Sequence, residues 1–119
     1  MKNILLVDDE QDIVETLKFV LESEGYTCFC AYNGEDGLKM AKEVKPDLMI
    51  LDVMMPKING FKISRLLKYD VKYKNIPIIM LTARTQDTDK QIGEETGADV
   101  YITKPFDLDE VVATVKRLV

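Results

Sequence analysis

Leu48-Met49-Ile50-Leu51-Asp52, within the longer stretch Pro46-Asp47-Leu48-Met49-Ile50-Leu51-Asp52-Val53-Met54-Met55-Pro56, decides the fold. Four apolar residues in succession, without alternation, suit a strand covered on both faces, and such strands belong to parallel sheets. Three other runs have the same form. Ile4-Leu5-Leu6-Val7 leads into Asp8-Asp9, Ile76 to Leu81 (interrupted by Pro77) leads into Thr82, and Val100-Tyr101-Ile102-Thr103 leads into Lys104-Pro105. As parallel strands of one sheet they bring three carboxylates, a hydroxyl and an ammonium to one edge. Open α/β sheets bind ligands outside the carboxyl ends of their strands.

Working outward, strand-like runs at 3–7, 26–31, 47–51, 76–81 and 99–103 alternate with stretches of three- and four-residue apolar spacing. Ile13, Leu17, Val20 and Leu21 form the stripe of the first helix, with Gly25 where a C-terminal cap belongs. Asn33 is placed to cap the second, whose Leu38, Ala41 and Val44 face inward before Pro46 stops it. Asn59-Gly60 opens the third, with Phe61, Ile63, Leu66 and Leu67 as its apolar residues. Residues 87–96 offer a fourth, with little beyond Ile92, and 107–118 a fifth, with Leu108, Val111, Val112, Val115 and Leu118. Right-handed crossovers then give a doubly wound, five-stranded parallel α/β sheet, a single domain over residues 1–119. Spacing alone does not fix its strand order.

Composition narrows the function. A chain of 119 residues buries roughly two thirds of its unfolded surface and needs no disulfide or structural metal to fold. No apolar run approaches the ~18 residues of a membrane span. Met1-Lys2 leads straight into a strand rather than a leader, so a cytoplasmic location is expected. The net charge of −5, with Lys and Arg scattered along the chain, argues against direct nucleic-acid binding. Cys28 and Cys30 fall on one side of a strand, and without any histidine they cannot complete a usual zinc site. They read as free thiols in a reducing compartment. The missing histidine also removes Ser-His-Asp and Cys-His catalysis. Any phosphoryl group this chain handles must therefore come from another molecule.

Singly, each strand-end residue has a bland explanation: Asp8 and Asp9 as helix caps, Asp52 as a turn residue, Lys104 as a solvated lysine. Together they call for a cation. Two carboxylates about 5 Å apart repel by roughly 3 kcal/mol at an effective dielectric of 20. Oxygen donors without a soft ligand nearby suit Mg²⁺ before Zn²⁺.

Val7-Asp8-Asp9-Glu10, the 46–56 stretch, Leu81-Thr82-Ala83, and Gly97-Ala98-Asp99 followed by Thr103-Lys104-Pro105-Phe106 resemble the receiver domain of bacterial two-component response regulators. The likeness runs in order over essentially the whole chain. It implies a flavodoxin-like strand order of 2-1-3-4-5 and a role for each landmark. Asp52 resembles the phosphoacceptor, charged by the phosphohistidine of a sensor histidine kinase or phosphotransfer protein. Asp9 resembles the direct Mg²⁺ ligand and Asp8 its helper through water, with Asp52 and the backbone carbonyl of Met54 completing the set; Mn²⁺ is a possible substitute. Thr82 matches the hydroxyl that bonds a phosphoryl oxygen, and Lys104 the lysine that pairs first with the acceptor and then with the phosphate. Lys104-Pro105 resembles the family's cis peptide. Tyr101 occupies the switch aromatic position, expected to move with Thr82 and reshape the face of the 87–96 helix, fifth strand and last helix. Met54 and Arg84, two residues beyond Asp52 and Thr82, are expected to tune the lifetime of the acyl phosphate. The implied protein is a switch with self-phosphorylation and autodephosphorylation, not a turnover enzyme.

Val100 and Thr114 stand where receivers of winged-helix transcription factors carry an Asp and an Arg that pair across a dimer, although Glu110 remains. The expectation is a monomer or weak dimer acting on an unknown output protein, either free-standing or as the receiver of a longer regulator. Ile13, Val14 and Leu17 on the first helix are the candidates for kinase contact. Two rival readings fit less well. A Mg²⁺-dependent phosphohydrolase with an aspartyl nucleophile needs an acid where Met54 stands. A flavin-binding module needs a phosphate-cradling loop after the first strand, where Asp8-Asp9-Glu10 repels phosphate.

Overall fold

β1 (Asn3–Val7), β2 (Thr27–Ala31), β3 (Leu48–Asp52), β4 (Ile78–Thr82) and β5 (Val100–Thr103) form one parallel sheet in the order β2-β1-β3-β4-β5. This is a computed structural model, and it describes residues 2–55, 58–82 and 98–119. The helices are α1 (Gln11–Ser23), α2 (Gly34–Val44), α3 (Gly60–Lys68) and α4 (Leu108–Leu118). The strand order is the one the resemblance implies. The helix expected over 87–96 lies outside the described residues, so α4 is the last of the five expected helices.

Strand ends moved by one or two residues, and the reasons are local. Pro77 has no N–H for the ladder, so β4 starts at Ile78, while Ile76 N donates to the Tyr73 carbonyl at 3.1 Å in the preceding turn. β3 and β4 each run one residue further than expected. Both Asp52 and Thr82 are therefore strand residues, fixed in the ladder rather than free in loops.

Alternation along the strands builds two cores. Leu5, Val7, Met49, Leu51, Ile78 and Met80 face the layer of α2 and α3, against Ala41, Ile63 and Leu67. Ile4, Leu6, Leu48, Ile50, Ile79 and Leu81 face α1 and α4, against Val14, Leu17, Leu21, Val111 and Val115. Each fully buried aliphatic side chain is worth roughly 1.5–3 kcal/mol relative to exposure. The α1 stripe is centred one position away from expectation: Val14 is buried, while Ile13 and Val20 sit at its margins. Leu66 is 46% exposed, because Ile63 and Leu67 occupy the line of α3 that meets the sheet and Leu66 lies about 100° around it.

Asn33 Oδ1 accepts from Asp36 N at 2.8 Å to cap α2, and Asn59 Oδ1 accepts from Lys62 N at 2.9 Å to cap α3. Each cap is worth about 1 kcal/mol. The first residue of α3 must be glycine. A Cβ on Gly60 would collide with the carbonyl oxygen of Asp52, and Gly60 N donates to the Val53 carbonyl at 3.1 Å.

Candidate functional site

At the carboxyl end of β1, Asp8 N donates to the Ala31 carbonyl at 3.2 Å, which extends the pairing with β2 by one residue. Its Oδ1 accepts from Glu10 N at 2.9 Å and so turns the chain into α1. Glu10, not Asp8, is the N-cap, and no side chain caps that end. Asp8 is thus held by the turn but left facing the sheet edge, buried. On the adjacent strand, Asp52 ends β3 and is also buried, with Oδ1 accepting from Met54 N at 3.3 Å.

Lys104 reaches both. Its N–H donates to the Thr82 carbonyl at 2.6 Å, and the following Lys104–Pro105 peptide is cis. Its Nζ lies 2.9 Å from Asp8 Oδ2, 3.3 Å from Asp52 Oδ1 and 3.7 Å from Glu10 Oε1. One ammonium serves three carboxylates, two of them buried. Burial, and then the negative charge of Asp8, push the Asp52 carboxyl up to about 7 against the opposing pull of Lys104 and the Met54 N–H. For Lys104, burial works against the charge, but the hydrogen bond to Asp8 and the charges of Asp52, Asp8 and Glu10 outweigh it and raise its pKa. The pocket is short of positive charge.

Thr82 is buried, and its Oγ1 has no hydrogen-bond partner among the described residues. A buried hydroxyl left unsatisfied costs about 1–3 kcal/mol. Strand alternation places Thr82 on the same sheet face as Tyr101, which is half-buried against the α2/α3 core.

The donor set fits a hard divalent ion. Asp8, Asp9 and Glu10 each offer a carboxylate oxygen, all within 4.8 Å of one another. Of the expected ligands, the structure gathers Asp8 and Asp9, links Asp52 to Asp8 through Lys104, and leaves Met54 72% exposed at the rim. Glu10 was missed as a member of this group, although three consecutive acids after a strand were the available signal. Arg84 lies outside the described residues.

On α1, Val14 and Leu17 are buried and withdraw from the candidates for kinase contact; Ile13 stays at the margin and Phe19 is 77% exposed. The thiols of Cys28 and Cys30 are free. Burial foremost raises both, Cys28 to about 12, so neither is a reactive thiolate. No helix among the described residues is long and apolar enough to cross a membrane.

The family model of the response regulator receiver domain matches residues 4–116. Chemotaxis protein CheY4 of Vibrio cholerae is similar at 33% identity and a TM-score of 0.94, over 100% of this chain and 99% of that one. The signal receiver domain of a signal transduction histidine kinase from Syntrophus aciditrophicus is similar at 36% identity and a TM-score of 0.92, over 99% and 89%. The receiver domain of Francisella response regulator 1452 is similar at 30% identity and a TM-score of 0.91, over 99% and 96%. With the family model matched over residues 4–116 and the strand-end acids in place, this chain belongs to the response regulator receiver domain family.

Proposed function

We propose that this receiver accepts a phosphoryl group on Asp52 from the phosphohistidine of a sensor kinase or phosphotransfer protein, and that the modification switches a binding face. The observation that carries this reading is the Thr82 hydroxyl, buried without a partner among the described residues at the strand end beside Asp52. Such a group gains a partner once an anion's oxygen arrives on Asp52.

An Asp52 oxygen attacks phosphorus as the P–N bond to the imidazole breaks. The electron pair of that bond returns to the ring nitrogen, and the new P–O bond makes an acyl phosphate. Phosphoryl transfer has a loose transition state, so positioning and charge neutralisation supply most of the catalysis. Asp52 is positioned by the β3 ladder and by the Met54 N–H. Lys104, already 3.3 Å from Asp52, turns from the carboxylates to a phosphoryl oxygen. Asp8, Asp9, Asp52 and the Met54 carbonyl would hold Mg²⁺, with Glu10 close by. Bound there, Mg²⁺ or Mn²⁺ would supply charge neutralisation at the transferring oxygens.

Thr82 then donates its O–H to the phosphate. Tyr101, on the same sheet face, follows into the space released and biases the surface of the 87–96 stretch, β5 and α4. Met54 at the rim and Arg84 obstruct water and set the lifetime.

Incubation with acetyl phosphate or phosphoramidate and Mg²⁺ should add the mass of one phosphoryl group, absent in Asp52→Asn. Sustained turnover of assorted phosphate esters would instead assign the site to a hydrolase. The double variant Met54→Asn/Arg84→Glu should change the dephosphorylation rate several-fold; an unchanged rate removes both residues from that role.

A further inference from the structure

The outer side of α3 and the turn after it carry a feature that the phosphoryl site does not use. Residues 58–74 hold five basic side chains and one acidic, a net charge of +4 on a chain whose total is −5. Lys68 is committed inward, bonding the carbonyls of Ile76 at 2.7 Å and Lys74 at 3.2 Å and the Asp99 carboxylate at 3.2 Å. Lys62 and Arg65 are exposed and have no ion-pair partner among the described residues. Between them and the following turn, Leu66 is 46%, Tyr69 75% and Val71 79% exposed. With Phe61 these line a groove of about 1080 Å³. Its rim carries Lys62 and Arg65 and one acid, Asp70, whose Oδ1 accepts from Lys72 N at 2.9 Å, so the rim is positive on balance.

We propose that this groove docks an acidic amphipathic helix of a partner protein. Helix-in-groove recognition seats apolar anchors at i, i+3, i+4 and i+7 on such a floor while charges meet at the rim. Charge chooses among polyanions. Outside this segment the chain is strongly acidic, and at physiological salt charges act over about 8 Å. A short acidic helix stays within the local positive field. A nucleic-acid duplex or an anionic bilayer extends beyond it and meets the acidic remainder of the molecule. The surface is separate from the β5/α4 face, and the proposal holds whether or not Asp52 takes phosphate.

The test is selection of a displayed library of 16-residue helical peptides against the full chain, followed by NMR mapping of the enriched peptides on it. Enriched sequences should carry net negative charge and an apolar stripe, and their shift changes should centre on residues 61–71. Lys62→Glu with Arg65→Glu should weaken them at least tenfold, and Tyr69→Ser several-fold. Lys39→Glu with Lys42→Glu, on exposed positions of α2, should leave binding within twofold. Melting curves of each variant separate lost binding from lost fold. Enrichment of neutral or basic peptides, or shift changes confined to β5 and α4, overturns the proposal. So does binding of duplex DNA or phosphatidylglycerol vesicles, or dimerisation of the free chain, with the same dependence on Lys62 and Arg65.

Discussion

The two ends of the sheet hold the same kinds of residue in opposite states. At the amino end the acids that meet the strand starts, Asp47 and Asp99, are answered. Asp47 Oδ2 accepts from Asn3 N at 2.7 Å, and Asp99 Oδ2 accepts from Ile78 N at 2.8 Å and from Lys68 at 3.2 Å. Lys68 is itself saturated by two carbonyls. At the carboxyl end Lys104 is divided among Asp8, Asp52 and Glu10, while Thr82 Oγ1 has no partner among the described residues. One end closes the fold with satisfied polar groups. The other leaves them wanting, and a deficit of that kind is what a ligand can fill.

Four substitutions break or sharpen this contrast. Lys104→Met has the largest expected effect: it leaves two buried carboxylates without a cation and should cost about 3 kcal/mol or more in urea unfolding at pH 8. Millimolar Mg²⁺ should recover much of that loss, and a loss indifferent to Mg²⁺ would contradict the cation deficit. Asp99→Ala strips the Ile78 N–H and Lys68 of their partner at the satisfied end. It should cost about 2 kcal/mol and leave phosphoryl uptake intact.

Asp52→Asn should act with the opposite sign. The folded protein holds the Asp52 proton more tightly than the unfolded chain, since its pKa is raised to about 7. That contribution is fully present below the ordinary carboxylate pKa and is lost as pH rises through about 7. In Mg²⁺-free buffer the variant should therefore gain on the natural protein between pH 5 and 8, by on the order of 2 kcal/mol at the upper end. A gain that grows toward low pH would refute the sign. Thr82→Val should have the smallest effect on stability, a gain of about 1 kcal/mol, because the methyl removes a buried hydroxyl that has no partner among the described residues. It should nonetheless abolish the phosphorylation-dependent change in Tyr101 fluorescence or NMR shift.

Much of this contrast was legible before any coordinates. Uninterrupted apolar runs such as Leu48–Leu51 can only be strands with both faces covered, so the layered architecture followed from them. Strand order did not, since which strand neighbours which is a choice made across the sheet rather than along the chain; it came from the resemblance. Periodicity gave α1 its apolar stripe but not its centre line, because Ile13 and Val14 are both aliphatic and only packing decides between them. Leu66 stands among the apolar residues of α3, and only packing shows that it lies outside the core. At the site, the meeting of Asp8, Asp52, Thr82 and Lys104 followed from strand ends alone. That Lys104 sits closer to Asp8 than to Asp52, and that Glu10 joins them, depends on rotamers and on the turn closed by the Asp8 side chain. No sequence pattern encodes those distances, although the three consecutive acids after β1 were a signal for Glu10.

Position 60 lacks one carbon atom, and that sets how far a push on α3 travels. With no side chain between them, the first turn of the helix bears directly on the peptide plane of Asp52 and is tied to the next by the Gly60–Val53 hydrogen bond. Backbone against backbone has no rotamer to absorb a displacement. The start of α3 is thus a stiff handle on the backbone of the acceptor residue, with no side chain between them to yield.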